Sequence, residues 1–513
     1  MRRIILSFLF LTIAIFASAQ ANERAMAAAI DTIVRTYNEA EIRDKFVEDI
    51  FNKFNKSAYL ATRIAKSYYN YNKVDPPVFR DFHRRDTVNA FKYINRSIAI
   101  DPKYAEAYIL ASDILSYEKA AEGGREEAMS WLNRGIAANP TDSSLYIASA
   151  ELLALTDADA AVNKLKELKE KDPNFPVDLQ LGRLYYQLWD KHGLEPYAEM
   201  AASYDKVNKE DMIQGDLEAY SFALYATNQI DKMYDVSSYG AKKYPESFML
   251  SMNEFYGLLG LKKFAEAVIA GERFIKNTDP SKLQPIHYLR YGEALNGSKR
   301  YDEAIAQYDY VIKMEGVSDN NIATAYNHIA SSMEAKVNDY IKDGDYQTAV
   351  ALYEEFLNSR RAINKVDASM LSMYAGIFSS WAKKLSGPEK EATYMKADKI
   401  YQEMAELFPK FDDIAWVNRL QIRTTLDPEF EQGIAIPFAE NLEKIILAKG
   451  SNITDGQRSR LVTAYWVQCY FYAANVKKRS KKLALSFAEK ILDIDPMNSQ
   501  ALKIYEIVSK WKK

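Results

Sequence analysis

The sequence predicts an all-α chain, a solenoid of antiparallel helical hairpins, on three observations. Small and aromatic residues recur at helical intervals, as in RYDEAIAQYDYVIK (300–313), where Ala304, Tyr308 and Val311 stack along one stripe. The same spacing returns along the chain, usually closed by a proline. Tight turn signals such as NGSK (296–299) separate consecutive stripes, so neighbouring helices must fold back on one another.

The first element is a leader. MRRIILSFLFLTIAIFASAQ sets Arg2 and Arg3 ahead of an apolar run from Ile4 to Phe16, followed by Ala17, Ser18 and Ala19. This reads as a signal peptide over 1–19, cleaved after Ala19, or before Asn22 if Ala19-Gln20-Ala21 is the site. A membrane anchor would need about 20 apolar residues, more than this run supplies. No second run approaches that length, so the mature chain is expected to lack a transmembrane segment and to be periplasmic or secreted. With no cysteine following the leader, no lipoprotein anchor is expected. The Arg-Arg leader and the ASAQ junction have a bacterial look.

Residues 20–75 are expected to form N-terminal helices. The stretch YNYNKVDPPVFRDFHRRD, Tyr69 to Asp86, must then be irregular, because neither Pro76 nor Pro77 can sit inside a helix.

An array of hairpins follows over 76–315. Twelve residues before Ala304 stands Gly292, within HYLRYGEALNGSKRYDEA, so two short helices are expected to touch at Gly292 and Ala304. The second-helix pattern recurs with Ala90, Ile94, Ser97 and Pro102, with Ala128, Leu132, Gly135 and Pro140, and with Ala161, Leu165, Leu168 and Pro173. It recurs again with Ala397, Tyr401, Met404 and Pro409. The first-helix pattern returns in Leu181, Gly182 and Tyr185, and one hairpin alone cannot bury both of its faces, so the units must stack. Phe264 with Ala267, and Tyr346, Ala349 and Tyr353, continue the second-helix pattern.

From 316 to 497 the array is expected to be elongated. Nineteen residues separate Ala330 from Ala349, against 12 in the compact hairpin, so these helices are expected to be longer. Between Ala375 and Ala397 the gap is 22, with a Gly-Pro turn in AKKLSGPEKEA, and an extended hairpin is expected there. The last segment, 498–513, reads as a capping helix with apolar Ala501, Ile504, Ile507 and Val508.

As a set, these spacings resemble the tetratricopeptide repeat, with its period of about 34 residues and its pattern W-x2-L-G-x2-Y, A-x3-F and a closing P. Tyr288, Tyr291, Gly292, Leu295, Ala304 and Tyr308 fill the family's positions best. The resemblance implies a right-handed superhelix whose concave surface is lined by the first helix of each hairpin. It therefore implies that Leu179, Gln180 and Arg183, Leu289, Arg290 and Glu293, and Asn327, His328 and Ser331 contact a protein or peptide partner. Only Arg183 and Arg290 are cationic among these nine, so the basic clamp that some family members use for a peptide carboxylate is not evident.

Composition narrows the function further. With 67 basic and 70 acidic residues, two of the basic ones in the leader, the mature chain carries a formal charge of −5, which disfavours nucleic-acid binding. Its one cysteine, Cys469, lies among apolar residues and excludes an intramolecular disulfide. His83, His192, His287 and His328 are scattered over different repeats, and no metalloprotease, hydrolase or phosphate-loop motif occurs, so neither catalytic residues nor metal ligands nor a cofactor is expected. Most of the 36 tyrosines fall on apolar stripes and read as packing residues, and the basic run VKKRSKKL reads as a solvated turn. The expectation is an exported, non-catalytic scaffold for a protein or peptide in the periplasm or cell envelope. The alternatives are a glycan-binding outer-membrane protein of the SusD type, though without its anchoring cysteine and long Trp-rich loops, and an all-α carbohydrate-active enzyme.

Overall fold

The computed structural model describes residues 19–37, 39–53, 57–69, 85–118 and 123–511. The leader up to Ser18 and the double-proline connection at 70–84 lie outside the described residues. Among the described residues there are twenty-five α-helices and no strand, in two compact units, Met1–Leu261 and Lys262–Lys513.

In the first unit, α1 (Ala19–Thr36) packs on α2 (Ala40–Lys53) and α3 (Ala58–Tyr69). Five hairpins follow. They pair α3 with α4 (Thr87–Ile100), α5 (Ala105–Glu118) with α6 (Gly124–Ala138), and α7 (Ser143–Leu153) with α8 (Ala158–Lys171). They continue with α9 (Val177–His192) and α10 (Tyr197–Tyr204), then α11 (Gln214–Ala226) and α12 (Ile230–Lys243), against which α13 (Phe248–Gly260) lies.

The second unit opens with α14 (Phe264–Asn277) and then pairs α15 (Pro285–Gly297) with α16 (Tyr301–Lys313) and α17 (Asp319–Lys342) with α18 (Tyr346–Ala362). It continues with α19 (Ala368–Ala382) and α20 (Gly387–Leu407), α21 (Asp412–Leu426) and α22 (Ile436–Leu447), and α23 (Asp455–Ala474) and α24 (Lys481–Ile494). Helix α25 (Ser499–Ser509) packs on α23 and α24.

Local chemistry sets the helix starts. Asp157 accepts from the Ala160 amide at 2.9 Å and Asp345 from the Thr348 amide at 3.0 Å, while Thr454 and Gln457 form a reciprocal capping box. Each cap satisfies an orphan amide and is worth about 1 kcal/mol. Prolines close several second helices and also help seat the next one. The carbonyl of Pro102 accepts from the Tyr108 hydroxyl at 2.9 Å, and that of Pro140 from Tyr146 at 3.1 Å, each tyrosine standing six residues after its proline in the first turn of the following first helix.

The alanines at the hairpin contacts are sealed: Ala90, Ala128, Ala161, Ala267, Ala304, Ala349 and Ala397 have no exposed surface. The expected partner of Ala304 needs correcting, however. A Cβ placed on Gly292 would lie 2.3 Å from Cε1 and 2.6 Å from Cζ of Tyr308, so the glycine makes room for that ring. Side chains on a helix lean toward its N-terminus, so Tyr308, one turn beyond Ala304, covers the spot. Gly182 faces the ring of Tyr204 in the same way, at 2.7 Å from Cζ. Tyr68, Tyr93, Tyr146, Tyr204, Tyr308 and Tyr353 are among the largest fully buried side chains, which makes these tyrosines core residues.

The elongated helices are present: α17 has 24 residues, α18 has 17 and α20 has 21, against 13 in each of α15 and α16. Residues around the Gly-Pro turn, from Lys383 to Glu391, are mostly exposed. In α25, Ala501 and Val508 are buried and Ile504 packs on the core, but Ile507, read as part of that stripe, is 50% exposed. Val508 takes the core-facing position beside it. Of the basic run, Arg479 stacks over Trp511 at 3.5 Å and Lys481 donates to the carbonyls of Ser509 and Trp511, while Val476, Lys477 and Lys478 stay exposed.

Cys469 is buried in α23, with its thiol directed at the Ala484 carbonyl, and burial pushes its pKa up to about 11. A thiol reagent such as dithionitrobenzoate is therefore expected to leave the native protein unlabelled and to label it stoichiometrically once it is unfolded in urea. Rapid labelling without denaturant would contradict the placement of α23.

Between α17, α18 and α19, burial raises the carboxyl pKa of Glu334, with repulsion from Asp367 adding to it. A folded-state pKa above the unfolded value means that this site favours folding most at low pH and loses that contribution as pH rises through the raised pKa. Glu334→Gln should therefore raise the melting temperature at pH 7 and leave it nearly unchanged at pH 4, where the glutamate is already protonated.

Candidate partner-binding surface

The first helices of successive hairpins touch one another, α3 to α5 to α7 to α9 to α11 to α13 in one unit, and α15 to α17 to α19, then α21 to α23 to α25, in the other. A surface shared by neighbouring first helices is thus built into each unit. The predicted contact residues fall on three of these helices and have different fates.

Leu179 and Leu289 are corrected to core positions, at 9% and 2% exposure. Leu179 belongs to the cluster that contains Met200, Tyr204 and Leu217. A leucine one turn before the glycine position lies on the edge of the apolar stripe, and here the stripe is wide enough to take it in. Gln180 is half-buried beside it.

Arg183 is committed to the fold. Its Nε and Nη2 donate to the two oxygens of Asp216 at 2.8 and 2.7 Å, which bridges α9 to the start of α11. Asp216 is 3% exposed and also accepts from the Ile213 amide, and its hydrogen bonds hold the Arg183 guanidinium above its ordinary pKa. Charge reversal at Arg183 would strand this carboxylate at a cost of about 1–3 kcal/mol, so such a variant reports on stability before it reports on binding.

In the second unit the predicted residues do converge. Arg290 Nη1 donates to Glu293 Oε2 at 2.9 Å, and His328 Nε2 lies 3.7 Å from Glu293 Oε1, linking α15 to α17. His328 also stacks on Tyr308 at 5.0 Å. Asn327 and Ser331 are exposed, one turn apart on α17. The result is a polar stripe of alternating charge.

An aromatic band on α9 and α11 stands apart from the tyrosines that read as packing residues. Tyr186 lies 5.5 Å from Trp189, which meets Phe222 across the helix pair at 4.5 Å, and Tyr197 closes on Phe222 edge-on at 5.6 Å. Tyr186 and Tyr225 remain 37% and 48% exposed. The signal was present in YYQLW and YSFALY, where these aromatics lie off the stripe that carries Gly182 and Leu224.

Among the described residues no three His, Cys, Asp or Glu side chains are placed to hold a metal, and no helix is long and apolar enough to cross a membrane. His287 is a helix cap: its Nδ1 accepts from the Gln284 amide at 2.9 Å, and burial lowers its pKa.

No protein-family model matches the chain, and no curated protein matches it. Among solved structures it is similar to the C-terminal part of a TPR repeat-containing protein from Cytophaga hutchinsonii, at 18% identity, covering 56% of this chain and 98% of that one, with a TM-score of 0.37. It is also similar to a tetratricopeptide repeat protein from Parabacteroides merdae, at 15% identity, covering 53% and 99%, with a TM-score of 0.27. Against the TPR domain of P58(IPK) the identity is 12%, the coverage 74% and 93%, and the TM-score 0.23. The sealed alanines, the glycine–tyrosine contacts and the touching first helices make the fold a tetratricopeptide-like array of helical hairpins.

Proposed function

We propose that the protein is an exported, non-catalytic scaffold that binds a protein or peptide partner in the periplasm or cell envelope through the surfaces of its first helices. The observation that carries this reading is the aromatic band on two helices in contact, where Tyr186 stays exposed against Trp189, Trp189 meets Phe222, and Tyr225 is exposed one turn beyond Phe222. Tyrosine and tryptophan supply large, stiff contact area with a polar tip and dominate binding hot spots. The polar stripe of Arg290, Glu293, Asn327, His328 and Ser331 offers a second, charge-mixed contact. Export rests on the leader, which predicts a mature N-terminus at Gln20 or Asn22.

The test is cross-linking of the mature chain in envelope extracts, comparing wild type with Tyr186→Ser/Tyr225→Ser. The reading expects the double variant to fold normally and to lose one specific partner, with affinity reduced at least about tenfold. Retention of every cross-linked partner would exclude the band as the contact. The same aromatics would also suit a sugar ring, so a glycan array belongs in the experiment. Glycan binding abolished by the double variant, without any protein partner, would favour the carbohydrate reading.

A further inference from the structure

Three arginines are buried among the described residues: Arg43 at 4% exposure, Arg419 at 7% and Arg360 at 9%. Arg43 contacts Asp44 at 2.9 Å and Asp86 at 3.4 Å, and Arg419 contacts Asp398 at 3.0 Å. Arg360, in the last turn of α18, has no carboxylate within ion-pair distance among the described residues, and its Nε is sealed from water without a hydrogen-bond partner. Taking a guanidinium out of water normally requires an anion to pair with it.

Arg360 lies against two aromatic rings with a second cation beside one of them; its guanidinium is 5.1 Å from the ring centre of Phe356 on its own helix. Its guanidinium lies 5.5 Å from the ring centre of Tyr326 on first helix α17, and the Lys365 ammonium lies 5.5 Å from the same ring. Lys365 is exposed and, among the described residues, in no ion pair. Its amide donates to the Arg360 carbonyl at 2.9 Å, and Asn364 turns the chain back in the left-handed region at φ 55°. That backbone lock returns Lys365 to the turn that carries Arg360. Glu355, five residues before Arg360, is exposed and in no ion pair among the described residues, and Asp367, two residues after Lys365, caps α19 through the Met370 amide and the Ser369 hydroxyl.

We propose that Arg360, Lys365 and Tyr326 form a recognition site for a carboxylate presented by an acidic segment of a partner protein. Two cations without acids, one of them nine-tenths buried, supply charge complementarity, and the planar guanidinium suits a carboxylate's two oxygens. The inference deepens the scaffold reading, on which the protein nature of the ligand rests.

The probe is fluorescein-labelled hexaglutamate, titrated against the mature chain by fluorescence polarisation, with hexaglutamine as control. Saturable binding of hexaglutamate alone is expected, weakened about tenfold or more by Arg360→Met and about threefold by Lys365→Gln. Arg360→Met should not lower the melting temperature, because it replaces an unpaired buried charge with an apolar chain of similar length. Equal binding by wild type and both variants, no saturation at about millimolar peptide, or a clear fall in the melting temperature of Arg360→Met would each overturn the site. Those failures leave the scaffold reading standing if the Tyr186/Tyr225 experiment succeeds, and the converse also holds.

Discussion

Asp398→Ala is expected to destabilise the unit from Lys262 to Lys513 by about 3–5 kcal/mol. Asp398, on α20, is 4% exposed and accepts from Arg419 Nε at 3.0 Å and from Arg423 Nη2 at 2.8 Å, both on α21. Arg419 lies over Trp416 at 4.3 Å and Arg423 over Phe438 at 4.6 Å, so neither guanidinium can swing out to water without unstacking. Without the carboxylate, two largely buried cations one turn apart on α21 lose their shared partner on α20. Asp398→Asn keeps an acceptor and should cost less. Urea unfolding followed by intrinsic tryptophan fluorescence measures the difference, and a loss below about 1 kcal/mol would mean that the arginines do not depend on Asp398.

Gly292→Val is expected to cost about 3 kcal/mol, at the upper end of what overpacking usually does. The contact is with the middle of a ring that is 1% exposed and held from behind by His328 at 5.0 Å, so Tyr308 has nowhere to retreat. Gly292→Ala brings the same clash, offset by about 1 kcal/mol of helix propensity. The cost belongs to the pair, so it should largely vanish in a Tyr308→Leu background, and a double-mutant cycle detects this coupling. Additive effects of Gly292→Ala and Tyr308→Leu would show that the hairpin register is wrong. Ala304→Leu, at a position sealed from solvent, should cost about 1–3 kcal/mol.

Much of the fold was legible because close helix contact leaves a mark on composition. Small residues recurring at fixed offsets cannot be explained by helix propensity: Gly182 and Gly292 lie against the rings of Tyr204 and Tyr308, and Ala161 and Ala304 are sealed from solvent. What the spacing could not supply was the identity of the opposing atom, since the ring of Tyr308 reaches back one turn and displaces the expected Gly292–Ala304 contact. The surface was less legible. Helical periodicity separates the core stripe from the rest but does not say how wide the stripe is, so Leu179 and Leu289 were placed outside it. Nor does it show which charges are already paired: Arg183 looks available until Asp216, 33 residues later, is folded against it. Arg290, Glu293 and His328 do lie together, because neighbouring first helices present corresponding positions side by side.

The solenoid account is tested most directly by native-state hydrogen exchange of Asp398→Ala against wild type. In an array of hairpins each unit leans on its neighbours alone, so damage at one junction stays near it. Protection is expected to fall in α20, α21 and α22 while the amides of α3 to α9 keep their wild-type rates. A uniform loss of protection across the whole chain would contradict it.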